Sequence, residues 1–413
     1  MKRRRVVVTG MGVVAPSGVG IENFWDSLIH GHSGIRKITH FDASSYPCQV
    51  AAEVRDFDPM EYMDSKTARR LARFAQFALA ASRMAVEESA LDLKAVEPLR
   101  MGVIVGTGIG GGEVKENQHS LFLEKGVKRL NPFAALMICT HSAAGIISCE
   151  LGLKGVNTTI ASGCNSGLDA IYTASNAIRA EDAEVMLAAV GEAPITPFIV
   201  GLFCAGGILA KNNGEGANAL RPFDANGSGT VLGEGGAALV LEELEHALRR
   251  KAKIYGEILG YGSTHEAYSL YDIDTSAEAP SAVLQTVLAN AHLKAADIHY
   301  ICAHGNGMLR HDLNETRAIK RVFGESAYRI PVTSIKPITG QGFSVTGILQ
   351  MITCLLVINR SVIPPTLNHH HPQSDCDLDY VPNHFRRCTV DKALMNARGF
   401  GGSHTAVIAG KFL

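Results

Sequence analysis

The stretch 253-KIYGEILGYGS-263 decides the fold, because a strand pattern begins again there after a complete series of strands and helices. After it, SAVLQTVLANAHL predicts a helix, IHYICAHG a strand and NETRAIKRVFG a helix, at residues 281–293, 298–305 and 314–324. The first part of the chain shows a similar order of patterns. We therefore predict an internal duplication, with one half at residues 1–251 and the other at 252–413.

The first half alternates short β-branched runs with alanine-rich helical stretches. Its strand patterns are RVVVTGMGVV, MGVIVGTG, VNTTIAS, EVMLAAVG and GAALVLEEL, at residues 5–14, 101–108, 156–162, 184–191 and 236–244. Its clearest helical pattern is ARRLARFAQFALAASRMAVEESA at 68–90. This alternation predicts an α/β protein with extensively buried strands. No linker rich in Pro, Ser or Gly separates the halves, so we expect them to pack as one unit.

The composition is that of a globular protein with one large core or two fused ones. Of the 413 residues, 46% are hydrophobic and 19% are charged. A net charge of -1 creates no field that would attract nucleic acids or anionic membranes. The longest apolar run after the N-terminal strand pattern, ILQMITCLLVI at 348–358, fits a buried helix. Nine scattered cysteines without a CxxC motif favour a reducing compartment, so we predict a cytoplasmic protein.

Cys164 is the first candidate for chemistry. It follows the strand pattern VNTTIAS and precedes a helical pattern, and Gly163 and Gly167 flank it. Unpaired backbone N–H groups at a helix N-terminus favour a thiolate, and small neighbours let other groups approach it. The local pattern therefore predicts either an activated nucleophile or a small buried packing residue.

Three further stretches offer partners for a thiol. His304 ends an apolar strand pattern, where it is either a base or hydrogen-bond donor, or a core histidine. Lys336 and Gln341 lie in the glycine-rich TSIKPITGQGFSVTG, where the lysine either anchors a carboxylate or caps a loop and the glutamine can donate a hydrogen bond. Phe400 stands between glycines, where a backbone N–H can point into a cavity and bind an oxyanion.

Motifs for metals and nucleotides are weak. GTGIGG at 106–111 fits the dinucleotide pattern but lacks an immediate helix and a following acid. NHHHPQ at 368–373 has no second ligand cluster, and His265-Glu266 lacks the second histidine of a zinc protease helix. We predict no metal site and no bound cofactor.

Taken together, these stretches resemble the β-ketoacyl-acyl-carrier-protein synthases, and specifically their ketoacyl synthase II branch. The resemblance runs from Arg4 to Lys411 and is carried by VVVTGMGVVAPSGVG, NPFAALM, RPFDANGSG, GEGGAALVLEELEHALRRKAKIYGEILGYG, AHGNG, SIKPITG, VIPPTLN and DCDLDYVPN. It implies a thiolase fold, in which two duplicated halves stack as five layers (αβαβα) with the site between them. It also implies a dimer, of this chain with itself or with a chain-length-factor-like chain.

The resemblance further implies a mechanism. Cys164 would take an acyl chain, as a thioester, from the phosphopantetheine arm of acyl carrier protein. Malonyl-carrier protein would then lose carbon dioxide, and its enolate would attack that thioester to give a 3-oxoacyl product. The backbone N–H groups of Cys164 and Phe400 would form the oxyanion hole, with Phe400 also gating the pocket. Because phosphopantetheine arrives on the carrier protein, no resident cofactor is expected.

Other positions are assigned by the same resemblance. His304 matches the first active-site histidine of the family, and Lys336 and Glu315 match the lysine and acid that organise the site. Three residues match the lining of the acyl pocket, one of them, Phe133, reaching in from the neighbouring subunit; they are Ile109, Phe133 and Phe203.

The sequence departs from the family around the half of the site that handles malonyl. Gln341 stands where the family has its second histidine. Asn306 and Met308 replace threonines that help to hold the pantetheine and malonyl groups. The remaining departures are GSGT at 227–230, Arg398 for a phenylalanine and His404 for an asparagine.

Three functions therefore remain open at this point. The first is a condensing enzyme of a specialised fatty-acid or type II polyketide pathway. The second is an enzyme that loads an acyl group on Cys164 but passes it to another nucleophile, as an acyltransferase or cyclising enzyme. The third is a non-catalytic partner like the chain-length factors, although those typically lack the cysteine.

Overall fold

The computed structural model describes residues 4–211 and 213–412. Residues 1–3, 212 and 413 of the two predicted halves lie outside this described part. Its strands are β1 (Val6–Ala15), β2 (Gly18–Val19), β3 (Ile35–Lys37), β4 (Val50–Ala52), β5 (Met101–Gly106), β6 (Asn157–Ile160), β7 (Val185–Glu192), β8 (Gly235–Glu243), β9 (Gly256–His265), β10 (Tyr300–Cys302), β11 (Val332–Thr333), β12 (Val362–Ile363), β13 (Arg386–Arg387), β14 (Lys392–Arg398) and β15 (Ser403–Gly410).

The α-helices of the described residues alternate with these strands. They are α1 (Ile21–His30), α2 (Ser65–Ala68), α3 (Arg73–Glu88), α4 (Gly112–Lys125), α5 (Ala134–Met137), α6 (Ser142–Leu151), α7 (Ser166–Arg179), α8 (Pro197–Ala205), α9 (Leu244–Arg249), α10 (Glu278–Asn290), α11 (Leu309–Phe323), α12 (Lys336–Thr339) and α13 (Ser344–Arg360). The alternation confirms the predicted α/β class.

Two groups of five strands share one topology. The first runs β6-β5-β7-β8-β1 and the second β11-β10-β14-β15-β9. When the five strands of each group are numbered in chain order, both groups read 3-2-4-5-1. In both groups the second strand pairs in parallel with the third and fourth, and the fifth pairs antiparallel with the fourth and first. The identical order and direction confirm the predicted duplication.

The two groups join into one continuous sheet. β1 and β9 pair antiparallel through Val7 with Glu257 and Val8 with Gly256. A Cβ on Gly256 would lie 2.8 Å from the carbonyl oxygen of Gly410. The junction therefore needs glycine, and it ties the halves together without a linker.

Apolar packing divides the molecule into five layers. α3 and α6 cover the outer face of the first five strands. α7 and α13 lie between the two groups of strands, and every residue from Ser344 to Ile358 of α13 is buried. α10 and α11 cover the outer face of the second group. This is the αβαβα arrangement predicted from the sequence, and the predicted buried helix at 348–358 lies in its centre.

The central helices α7 and α13 touch at their N-terminal ends. A Cβ on Gly167 would lie 2.2 Å from the carbonyl oxygen of Ser344, so only glycine allows this approach. Cys164 lies just before α7 and Gln341 just before α13. The contact between the two helices therefore brings residues of both halves to one point.

Within the described residues, no helix combines the length and apolarity that crossing a bilayer demands. The cytoplasmic location stays a prediction.

We expect Gly167→Ala to lower the free energy of unfolding by about 1–3 kcal/mol, because the added methyl group forces α7 and α13 apart. Urea denaturation of the purified protein measures this change. Gly145→Ala on α6 is the matched control, since a Cβ there meets no atom within 4 Å and alanine favours a helix. An equal effect of the two substitutions would contradict the proposed importance of the contact.

Candidate active site

The Cys164 side chain lies between the halves, on a 3-10 turn, Gly163–Asn165, that follows β6 and leads into α7. Gly163 has a φ of 65°, which lets the chain turn sharply before the cysteine. The side chain of Cys164 is buried, with 3% of the residue exposed. Gln341 Nε2 donates a hydrogen bond to the Cys164 sulfur at 3.0 Å, so the thiol of one half meets an amide of the other.

Burial raises the pKa of the Cys164 thiol to about 11, although the charge of Lys336 and the hydrogen bond from Gln341 oppose the change. The resting site therefore holds a thiol at neutral pH. The expected preference of a helix N-terminus for thiolate is outweighed, because burial disfavours a charge near the sulfur more than the terminus favours it.

Lys336 and the β14 backbone fix the orientation of His304. The Lys336 ammonium donates to the His304 carbonyl oxygen and lies 3.3 Å from its Nδ1. The backbone N–H of Arg398 also donates to this Nδ1, at 3.3 Å. Burial and the charge of Lys336 hold the pKa of His304 well below its usual range. His304 is therefore neutral, accepts at Nδ1 and carries its proton on Nε2.

Lys336 itself is fully buried at the start of α12. Burial lowers its pKa to about 8, while the Glu315 carboxylate acts in the opposite direction. Near neutral pH it remains mostly protonated. It is thus the cation that faces both the thiol and the histidine.

Two acids of α11 hold the turn that carries His304. Glu315 accepts from the backbone N–H groups of His304 and Gly305 at 2.7 and 2.8 Å. Asp312 accepts from the backbone N–H groups of Asn306 at 3.0 Å and Phe223 at 2.9 Å, which links the turn to the first half. Glu315 therefore organises the site through the backbone.

The Gln341 backbone is fixed to a segment of the first half. Its N–H donates to the Val231 carbonyl oxygen at 2.7 Å, and its own carbonyl accepts from the Gly233 N–H at 3.0 Å. The side-chain Oε1 is buried and has no hydrogen-bond partner among the described residues. Gln341 thus keeps Oε1 as an acceptor and its second amide N–H as a donor for a bound substrate.

Two of the predicted pocket residues, Ile109 and Phe203, pack against the apolar cluster that contains Cys164. The Phe203 ring is 6.2 Å from that of Phe400, and Phe400 itself is 43% exposed beside Gly401. Ile109 lines a cavity of about 630 Å³ with Phe198 and other residues of α4 and α8. An acyl pocket formed by Ile109, Phe133 and Phe203 stays a prediction.

Phe133 and Met308 lie apart from this group. Phe133 is 43% exposed, and the Arg70 guanidinium stacks 4.4 Å from its ring centre. Its entry into a neighbouring subunit's pocket stays a prediction. Met308 lines a second cavity, of about 340 Å³, together with His311 and the glycines of the 227–229 segment.

A buried ionic cluster was missed by the sequence analysis. Arg398 Nη2 and His404 Nε2 contact the same oxygen of Glu266, at 2.7 and 2.9 Å. All three side chains are at most 7% exposed. The departures Arg398 and His404 signalled an unusual site, but nothing in the sequence connected them to Glu266, more than 130 residues away.

The structure also shows how the histidines of the 368–373 segment are arranged. His369 is buried and packs edge to face against Tyr380, while the backbone N–H groups of His370 and His371 donate to Asp224. In the part of the chain that is described, no three His, Cys, Asp or Glu side chains are grouped so as to hold a metal ion.

Two family descriptions cover most of the chain. Residues 3–247 match "Beta-ketoacyl synthase, N-terminal domain", and residues 255–370 match "Beta-ketoacyl synthase, C-terminal domain". Over 408 residues the chain is 40% identical to the 3-oxoacyl-(acyl-carrier-protein) synthase 2 of Coxiella burnetii, covering 99% of both chains.

Two solved structures are similar in fold to the chain over its full length. One is a type II polyketide synthase acyl-carrier protein in complex with its ketosynthase bound to the hexaketide, with a TM-score of 0.93 and 32% identity. Another is the ishigamide ketosynthase/chain length factor, with a TM-score of 0.93 and 30% identity. Each match covers 100% of both chains.

We expect the rate of Cys164 alkylation by iodoacetamide to rise about tenfold per pH unit between about pH 6 and pH 8, because only the thiolate reacts. Peptide mass spectrometry resolves Cys164 from the other cysteines, and Cys164→Ser supplies the background. A rate that levels off below pH 8 would show instead that the resting site holds a thiolate.

Proposed function

The chain belongs to the β-ketoacyl synthase family of condensing acyltransferases, and we propose that Cys164 is the residue that carries its acyl group. One observation supports this assignment above the others. The Cys164 sulfur accepts a hydrogen bond from Gln341 Nε2 at 3.0 Å, at the point where the two halves meet. The same point is faced by the Lys336 cation. We place the boundary between the halves at residues 251 and 252, in the gap between the two family matches.

The first step is transfer of the acyl group. The Cys164 sulfur attacks the thioester carbonyl of an acyl group on the phosphopantetheine of acyl carrier protein. A new carbon–sulfur bond forms, the bond to pantetheine breaks, and the pantetheine thiol takes the proton that Cys164 loses. Lys336 and Gln341 stabilise the thiolate, and the backbone N–H groups of Cys164 and Phe400 bind the oxyanion.

The second step is decarboxylative condensation. Malonyl-carrier protein loses carbon dioxide, and the electrons of that carbon–carbon bond form an enolate. The enolate carbon attacks the acyl carbonyl on Cys164, the carbon–sulfur bond breaks, and the sulfur leaves as a thiolate that is then protonated. His304, neutral with its proton on Nε2, donates to the enolate oxygen.

A partner subunit is inferred from the exposed apolar surface and from the family. Exposed apolar side chains are concentrated in the segment before β6, the strand at the edge of the sheet; they are Phe122, Leu123, Val127, Phe133, Leu136 and Ile138. We propose that a second subunit covers this face, either a copy of this chain or a chain-length-factor-like chain. The solved ketosynthase/chain length factor supports the second possibility.

A second candidate function is acyl transfer without elongation. Gln341 supports it, because a glutamine in place of the second histidine cannot become cationic when charge develops on the substrate. Cys164 itself argues against a purely non-catalytic partner.

The test of function is intact-protein mass spectrometry with a panel of acyl-carrier proteins, followed by a malonyl-carrier-protein chase. We expect the acyl mass to appear on the protein, to be absent in Cys164→Ala, and to be released as a 3-oxoacyl product in the chase. Acylation that persists through the chase would support acyl transfer to another acceptor. Absence of any acylation would contradict both enzyme functions.

We expect Gln341→Leu to slow acyl loading of Cys164 by about 10- to 100-fold, because a hydrogen bond to a charged group contributes about 1.5–3 kcal/mol. Rapid-quench mass spectrometry measures the loading rate. Gln341→His again offers an N–H and is the matched control, with loading expected within about tenfold of the native rate. Equal loading by Gln341→Leu and the native enzyme would remove Gln341 from the loading step.

A further inference from the structure

The side-chain amide of Asn306 has a fixed orientation. Its oxygen accepts from the Met308 backbone N–H at 3.1 Å, and an N–H group can only donate. Its nitrogen must therefore face the other way. This Nδ2 lies 3.2 Å from His311 Nδ1 and 3.4 Å from His304 Nε2.

The two ring contacts of this nitrogen differ in kind. His304 already accepts at Nδ1 from the Arg398 backbone, so its Nε2 carries a proton and cannot also accept from Asn306. His311 Nδ1, by contrast, is free to accept. Burial and the charge of Arg398 lower the pKa of His311 to about 3, so its ring is neutral. Asn306 thus donates one N–H to His311 and directs the other toward His304.

Two hydrogen-bond donors therefore face each other 3.4 Å apart with no protein acceptor between them among the described residues. Such a pair is satisfied by one oxygen atom that accepts from both. Asn306 and His304 are 2% and 4% exposed, so bulk water reaches the pair little. His311 and Met308, which contact the Asn306 amide, both line the cavity of about 340 Å³, so this cavity lies next to the pair.

We infer that Asn306 and His304 together bind the enolate oxygen of the malonyl unit, and that His311 is the positioning residue that aims the Asn306 amide. The inference rests on the proposed condensation and assigns the second donor to Asn306. We assign Gln341 to the sulfur, because its Nε2 donates to Cys164 at 3.0 Å and no contact of its side chain with His304 is seen among the described residues. Met308, through its backbone N–H, and His311, through Nδ1, then together orient the Asn306 amide.

The experiment separates the two half-reactions. Acyl loading of Cys164 and release of 3-oxoacyl product from malonyl-carrier protein are measured for Asn306→Leu, His311→Leu and His311→Gln. We expect Asn306→Leu to lower the kcat of product release about 10²–10³-fold, as for loss of an oxyanion donor, with loading within about threefold of native. His311→Leu should act in the same direction.

His311→Gln tests the positioning, because its side-chain oxygen can again accept from the Asn306 amide. We expect His311→Gln to release product at least about tenfold faster than His311→Leu. The exposed His384→Leu is the control for histidine replacement and should match the native enzyme. Should Asn306→Leu fail to fold, the pair His311→Leu and His311→Gln gives the same test.

The outcomes are distinguishable. Native enzyme that loads but never releases a 3-oxoacyl product refutes the condensation and this inference with it. Native enzyme that elongates while Asn306→Leu elongates equally refutes the inference alone. A parallel fall of loading and elongation, or faster elongation by His311→Leu, would mean that these residues shape the fold or narrow the cavity, and would overturn it.

Discussion

The backbone contact between α7 and α13 at Gly167 is the constraint on which the site depends. A side chain there would collide with the Ser344 carbonyl, so the two central helices approach as closely as their backbones allow. Each helix is preceded by a residue of the candidate site, Cys164 in one half and Gln341 in the other. Duplication has thus produced two similar helix starts, and their contact turns two loops distant in sequence into one site.

Burial then governs the chemistry of that site. Few charges are present, and each is held by several partners, because an unpaired buried charge is costly. Glu315 and Asp312 are satisfied by backbone N–H groups, and Lys336 faces the carboxylate of Glu315. The cluster of Glu266 with Arg398 is likewise internally paired. Lys336 is then the cation whose charge acts on the Cys164 thiol.

The sequence predicted what depends on local periodicity and missed what depends on distance. Strand and helix patterns repeated after residue 253, and the duplicated topology follows from that repetition. Cys164 was found because a strand followed by a helix with small flanking residues is a local signal. The raised pKa of Cys164 was not predicted, because the burial of its side chain is set by the packing of both halves. Glu266 and the paired orientation of Asn306 and His311 likewise depend on tertiary contacts and on which ring nitrogen accepts.

The pairing of β1 with β9 has a consequence for motion. Because β1 and β9 pair through the backbone, the halves share one sheet, and this pairing opposes a hinge motion between them. Movement at the site is then easier in short loops at its rim. The 399–402 segment is suited to this, since the consecutive Gly401 and Gly402, which follow Phe400, have φ values of 91° and 90°. A rearrangement confined to this loop leaves the contact between Gln341 and the Cys164 sulfur intact, because neither residue belongs to the loop.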